Sequence, residues 1–133
     1  MNFFVNLWKG VLFNYSIFVN RRIELQSCNI ITGKAIEYLA KRCQKLEYLN
    51  CCFCKNVTDN ELAVFAFAIP ALKYLNIGYN PSVSIGGVRF FLTASECLEE
   101  LFCIECANIA PADIDQLRID FPKTNINRPR IMK

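Results

Sequence analysis

The 133-residue chain contains no histidine. That absence excludes a serine–histidine or cysteine–histidine nucleophile pair, histidine acid–base chemistry and any histidine-ligated metal. Net charge is small as well: 15 Lys and Arg against 12 Asp and Glu leave +3, too mild to point to nucleic acid as a partner. Glycine is scarce, five in all, and Gly86-Gly87 stands isolated rather than inside a phosphate-cradling motif. Long hydrophobic runs are missing too. The most apolar stretch, residues 1–19, is broken by Asn2, Asn6, Lys9, Asn14 and Ser16, so it falls short of the ~20 apolar residues of a spanning helix. It shows no basic start, continuous apolar core or small-residue cleavage site of a secretory signal. Residues 1–19 are expected to fold onto the domain as an N-terminal capping segment, with an interfacial anchor as the alternative. No targeting sequence is legible, so the expected compartment is intracellular, cytoplasmic by default, and the cysteines are expected to be thiols.

What is present is apolar: 53% hydrophobic residues, with eight cysteines. The length admits one domain or a slice of a repeat array, not two independent cores. A mean hydropathy of +0.22 is high for a small soluble protein, so part of the apolar surface is expected to meet a partner.

A 26-residue period organises nearly all of the chain. Leu46, Leu72 and Leu98 recur at that spacing, as do Leu49, Leu75 and Leu101, and Cys51, Ile77 and Cys103. Cys28, Cys54, Asn80 and Cys106 hold it over three successive steps. Each unit has two textures. LEYLNC (46–51) alternates around Leu49 and Cys51, the signature of a short strand with one buried face. DNELAVFAFAI (59–69) places Leu62, Phe65, Ala66 and Ile69 at helical spacing behind Thr58-Asp59, good chemistry for capping the exposed amides of a first turn. Thr32 and Ser84 hold the Thr58 position in neighbouring units, Pro111 suits a first helical residue, and Pro70 stops a helix. One unit cannot bury its own apolar face; stacked units form a parallel sheet with helices outside. The expected fold is an α/β solenoid of about four strand–turn–helix repeats over residues 20–123, with a curved parallel sheet and a C-terminal cap and basic tail over 124–133. In that cap Thr124 falls in the next Leu column, so an edge strand is expected over Thr124–Asn127 with polar residues in place of apolar ones.

The stretch LEYLNCCFCKNVTDNELAVFAFAIPALKYLNI resembles the cysteine-containing subclass of leucine-rich repeats, typical of F-box/LRR proteins and their relatives. Its most specific piece is Cys54-Lys55-Asn56-Val57-Thr58-Asp59-Asn60-Glu61-Leu62, and the resemblance covers roughly residues 20–124. Asn20 stands for the first Leu of repeat one, and Asn80 for the Cys of repeat three. LWKGVLF (7–13) loosely resembles the stretch that joins an F-box to its first repeat, although no F-box helix set is legible ahead of it. The resemblance implies a structural ladder at Cys28, Cys54, Asn80 and Cys106, each lying beneath its loop and hydrogen-bonding backbone of adjacent turns.

Cys51-x-x-Cys54 and Cys103-x-x-Cys106 also read as a zinc pattern, or as a redox site. The repeat argues against one shared metal, because two repeats separate the pairs by roughly 10 Å along the stack. Cys52 alternates toward the concave face, where it would be open to modification. Cys43 and Cys97 close helices and are expected to be buried or half-buried. No catalytic constellation, cofactor motif or metal set emerges, and Glu37, Glu61 and Asp115 fall at repeat-determined helix positions without a pairing argument.

Function is expected on the concave face. Its columns are Arg22, Glu24 and Gln26; Tyr48, Asn50 and Cys52; Tyr74, Asn76 and Gly78; Glu100, Phe102 and Ile104, with Tyr48, Tyr74 and Phe102 in approximate register. Tyr79 and Glu105 extend the face at the strand ends. These aromatic and amide side chains either anchor a protein interface or stabilise the sheet as cross-strand neighbours. Val64, Phe67 and Phe90 lie outside the core set and pack either on a partner or on each other. The tail with Lys123, Arg128, Arg130 and Lys133 is read as solvated. The reading is a non-catalytic protein-interaction module, a scaffold subunit of a larger assembly. Substrate recognition within an F-box ubiquitin ligase is the alternative, with the F-box on another chain. Partners are other proteins, and pairing with a second copy is not expected.

Overall fold

The computed structural model describes residues 3–4, 21–25, 27 and 32–128. Gln26, Cys28, Arg130, Lys133 and most of residues 1–19 lie outside the described residues. The order is β1 (Phe3–Phe4), β2 (Arg22–Glu24), α1 (Gly33–Arg42), β3 (Tyr48–Asn50), α2 (Asp59–Ala68), β4 (Tyr74–Asn76), α3 (Ile85–Ala94), β5 (Glu100–Phe102), α4 (Pro111–Asp120) and β6 (Asn125–Ile126). All strands are parallel and lie side by side in sequence order, β1 to β6.

The register is the sequence period made physical. Ile23, Leu49, Leu75 and Leu101 stand opposite one another across β2–β5, and all four are fully buried. They join Leu39, Leu62, Phe65, Val88, Phe91 and Leu117 of the helices in one core. Removing apolar area of this kind from water is the main stabilising term, roughly 25 cal/mol per Å². Amides beyond the strands continue the ladder: Cys51 N–H donates to Asn76 C=O (2.9 Å) and Ile77 N–H to Phe102 C=O (2.7 Å).

Helix starts are set by the residues that the spacing marks. Thr32, Thr58 and Ser84 are the N-caps of α1–α3, and α4 opens with Pro111. Thr58 N–H donates to the Glu61 carboxylate at 2.8 Å, closing a capping box. One contact joins two repeats. Asp59, in the first turn of α2, accepts from Ser84 N–H at 2.8 Å and from the Ser84 hydroxyl, tying two successive helix starts together.

Three expectations are corrected. The edge strand is β6, Asn125–Ile126, and Leu101 pairs with Ile126, 25 residues on. A one-residue slip turns every side chain to the other face; here it puts Ile126, 1% exposed, into the core column, where the strict period would put Asn127. Cys97 is exposed rather than buried, whereas Cys43 is buried at the end of α1. Cys52 is buried instead of open on the sheet face.

Candidate protein-interaction face

Strand alternation turns Leu49 and Leu75 inward and their neighbours to the sheet face away from the helices. Two rows cross that face. The first is Arg22, Tyr48, Tyr74, Glu100; the second is Glu24, Asn50, Asn76, Phe102. In the first row the Tyr48 and Tyr74 rings stack at 4.0 Å and 7°. The Arg22 guanidinium lies 3.5 Å above the Tyr48 ring and donates to Glu24 at 2.9 Å. Arg22, Tyr48 and Tyr74 therefore form a continuous cation–aromatic column, held from the side by a carboxylate. Burial pushes the Tyr48 phenol well above its ordinary range; the Tyr74 hydroxyl and Glu24 add to the rise and Arg22 opposes it. The phenol stays a neutral donor.

Phe102 is not in register with the two tyrosines. It stands opposite Asn76, and Glu100 stands opposite Tyr74. Phe102 reaches Tyr74 diagonally, with centroids 5.4 Å apart at 40°, a distance available to large side chains across a sheet. In the second row, Asn50 Oδ1 accepts from Cys52 N–H at 3.1 Å and Asn76 Oδ1 from Gly78 N–H at 3.0 Å. Their amides thus hold the strand ends, and Asn50 is buried. At Gly78 a Cβ would sit 3.1 Å from Ile104 O, so the backbone there approaches its neighbour closely.

A further row was only partly visible in the sequence. Ser27, Phe53, Tyr79 and Glu105 all have positive φ, between 55° and 62°. A left-handed residue other than glycine is strained by roughly 1–2 kcal/mol. The Phe53 and Tyr79 rings stack at 4.2 Å and 11° and remain 46% and 45% exposed, next to Ile104 at 42%. Tyr79 and Glu105 were expected at this edge; Phe53 was missed, although its 26-residue spacing from Tyr79 marks it. Along the opposite edge Arg21 pairs with Glu47 (3.1 Å) and Glu47 with Lys73 (3.9 Å), largely exposed contacts that set charge order more than stability.

Beneath the turns the cysteine ladder is visible. The Cys54 thiol donates to Leu25 C=O (2.9 Å), Asn80 Nδ2 to Cys51 C=O (3.0 Å) and the Cys106 thiol to Ile77 C=O (3.3 Å). Each step reaches 29 residues back, so each turn is tied to the strand end of the repeat before it. Burial raises the Cys51 and Cys106 thiols and takes Cys103 to about 12, which keeps them protonated and weak as nucleophiles or metal ligands. Among the described residues no three His, Cys, Asp or Glu side chains converge as a metal site. No helix of those residues is long and apolar enough to cross a membrane.

A chain in the structure of Chaetomium Mex67:Mtr2 subunits superposes with a TM-score of 0.63 at 12% identity, covering 85% of this chain and 83% of that one. The fold is a leucine-rich repeat solenoid. No protein-family model matches the sequence. Over 101 residues, 73% of this chain, the solenoid is 27% identical to F-box/LRR-repeat protein 4 of Bos taurus, a distant relative of which the chain spans only 16%. Leucine-rich repeat domains typically act as protein-interaction modules and are usually non-catalytic.

Proposed function

We propose that this leucine-rich repeat solenoid is a non-catalytic protein-interaction module, a scaffold subunit of a larger intracellular assembly, and that its partner docks on the open face of the sheet. The Arg22–Tyr48–Tyr74 column carries the reading. It presents ring edges, phenol hydroxyls and a cation, already ordered by their neighbours, so binding loses little side-chain freedom. Tyrosine and arginine are also the side chains that anchor protein interfaces most often. Glu24, Asn50, Asn76, Glu100, Phe102 and Ile104 complete the proposed face; the two asparagines act by holding the strand ends in place.

A second reading is favoured by the match to F-box/LRR-repeat protein 4: substrate recognition within an F-box ubiquitin ligase, with the F-box outside this sequence. Affinity purification of the tagged chain separates the two. The scaffold reading expects a stable multi-subunit assembly, the ligase reading a cullin with its F-box adaptor. Either set must be lost from Tyr48→Ala/Tyr74→Ala; retention of the same proteins by that variant contradicts the proposed face.

A further inference from the structure

The helix side of the solenoid has a pattern of its own. Among the described residues seven large hydrophobic side chains are exposed, and four of them lie on helices, one on each: Tyr38 on α1, Phe67 on α2, Phe90 on α3 and Ile119 on α4. Phe67 is 73% and Ile119 70% exposed. Phe67 and Phe90 touch edge to face at 5.9 Å, yet their mutual contact leaves most of Phe67 in water. Past its polar first turn, helix α2 is apolar on both sides. Leu62, Phe65 and Ala66 enter the core and Val64 and Ala68 pack against it from the side, while Asn60, Ala63, Val64, Phe67 and Ala68 line an outer groove of about 360 Å³ beside Glu37 and Lys41 of α1. That suits a helix between two layers, and among the described residues one layer covers it.

Charge is arranged about this apolar centre. Helix α1 carries Lys34, Lys41 and Arg42 against Glu37, a net +2; helix α4 carries Asp113, Asp115 and Asp120 against Arg118, a net −2. Whole repeats follow the same polarity. Residues 20–45 hold six cations and two acids, +4, and residues 98–123 hold six acids and two cations, −4. A surface that runs basic, apolar, apolar, acidic is its own complement after a half-turn. This is the condition for an isologous interface.

Against the expectation from the sequence, we propose that the helix layer is a self-association surface, on which a second copy of the chain docks about a two-fold axis parallel to the helices. In that arrangement α2 of each copy faces α3 of the other, so Phe67 meets Phe90 twice. Helix α1 faces α4, so Tyr38 meets Ile119 and each basic helix lies over an acidic one. End-to-end stacking would also join the +4 and −4 repeats, but one β6 carbonyl is already taken. Ile126 C=O accepts from Arg118 Nε at 3.1 Å. The sheet face stays free in the pair, so this pairing stands independently of the proposed docking face.

Sedimentation velocity on the full 133-residue chain over a range of concentrations tests the pairing. A reversible monomer–dimer equilibrium is expected, with Phe67→Asp or Phe90→Asp weakening it by at least about tenfold while circular dichroism remains that of the parent chain. Lys34→Glu/Lys41→Glu and Asp115→Lys/Asp120→Lys are each expected to be monomeric alone and to form a heterodimer when mixed, because only the mixed pair restores attraction at both ends. A parent chain that stays monomeric, a dimer that survives the phenylalanine changes, or oligomers growing beyond two copies would each overturn the proposal.

Discussion

The rings of Tyr48 and Tyr74 lie 4.0 Å apart and 7° from parallel, on adjacent strands and directly opposite each other. Their inner neighbours Leu49 and Leu75 form the core, so the stack is built on the scaffold without belonging to its interior. Such pairs contribute about 0.5–1.5 kcal/mol beyond burial. Tyr48→Ala/Tyr74→Ala is therefore expected to lower unfolding free energy by only about 1–2 kcal/mol, while weakening partner affinity at least about tenfold. Chemical denaturation and titration with the purified partner read the two effects separately. A larger loss of stability with unchanged affinity would assign the rings to the fold.

The two adjacent glycines of α3 are expected to respond with opposite signs. A Cβ on Gly86 would meet nothing nearer than Ser84 Oγ at 3.6 Å, whereas one on Gly87 would fall 2.1 Å from Asp59 Oδ1. Gly86→Ala thus keeps only the helix-propensity gain, about 0.5–1 kcal/mol of stabilisation. Gly87→Ala displaces the carboxylate that binds Ser84 and is expected to destabilise by about 1–3 kcal/mol. Thermal unfolding of the two variants beside the parent chain checks the sign of each.

The ladder makes a prediction at its one asparagine. Asn80 is fully buried; its Nδ2 donates to Cys51 C=O, but its Oδ1 has no hydrogen-bond partner. Cysteine in that column supplies the donor without the orphan acceptor, as Cys54 and Cys106 do. Asn80→Cys is expected to be neutral or stabilising by up to about 1 kcal/mol, and Asn80→Ala to destabilise by about 1–3 kcal/mol. Urea midpoints of both variants decide it.

Buried thiols set an alkaline limit. Burial lifts Cys43 from its ordinary 9.0 to about 11, and Cys103 to about 12 with Cys106 adding. Between pH 9 and those values the unfolded chain has lost protons that the folded chain keeps, so stability falls as pH rises. The slope approaches roughly 1.4 kcal/mol per pH unit for each such thiol. Below pH 9 the thiols are neutral in both states and contribute no slope. Unfolding temperatures measured from pH 7 to 11 should be level and then decline. Under native conditions at pH 8, Cys97 should react fastest with iodoacetamide among the described cysteines, since it alone is exposed.

Much of the fold was legible because a 26-residue period is recorded directly in residue identity: the leucine columns, the Thr32, Thr58 and Ser84 caps, and Cys54 through Cys106. Features that depend on how repeats meet were not. The β6 slip follows from Ile126 competing with Asn127 for one buried column, a choice invisible to a fixed spacing. Phe102 shares an alternation face with the tyrosines, but its strand position sets it opposite Asn76, so only a diagonal contact results. Cys43 is the C-cap of α1, whereas the C-cap of α3 is Ser95 and Cys97 lies two residues beyond it, outside the buried column of Cys43. The bond from Asp59 to Ser84 spans 25 residues, and neither residue type alone announces it. The charge polarity of the helix layer emerges only once α1 and α4 are placed at opposite ends of one surface.

The central claim is that the sheet face, rather than the helices, receives the assembly partner. Hydroxyl-radical footprinting of the purified complex against the free chain measures this directly, with oxidation read at individual side chains. Protection is expected at Tyr48, Tyr74 and Phe102. Unchanged oxidation of those three rings, with new protection confined to helix side chains such as Tyr38 and Phe67, would contradict the claim.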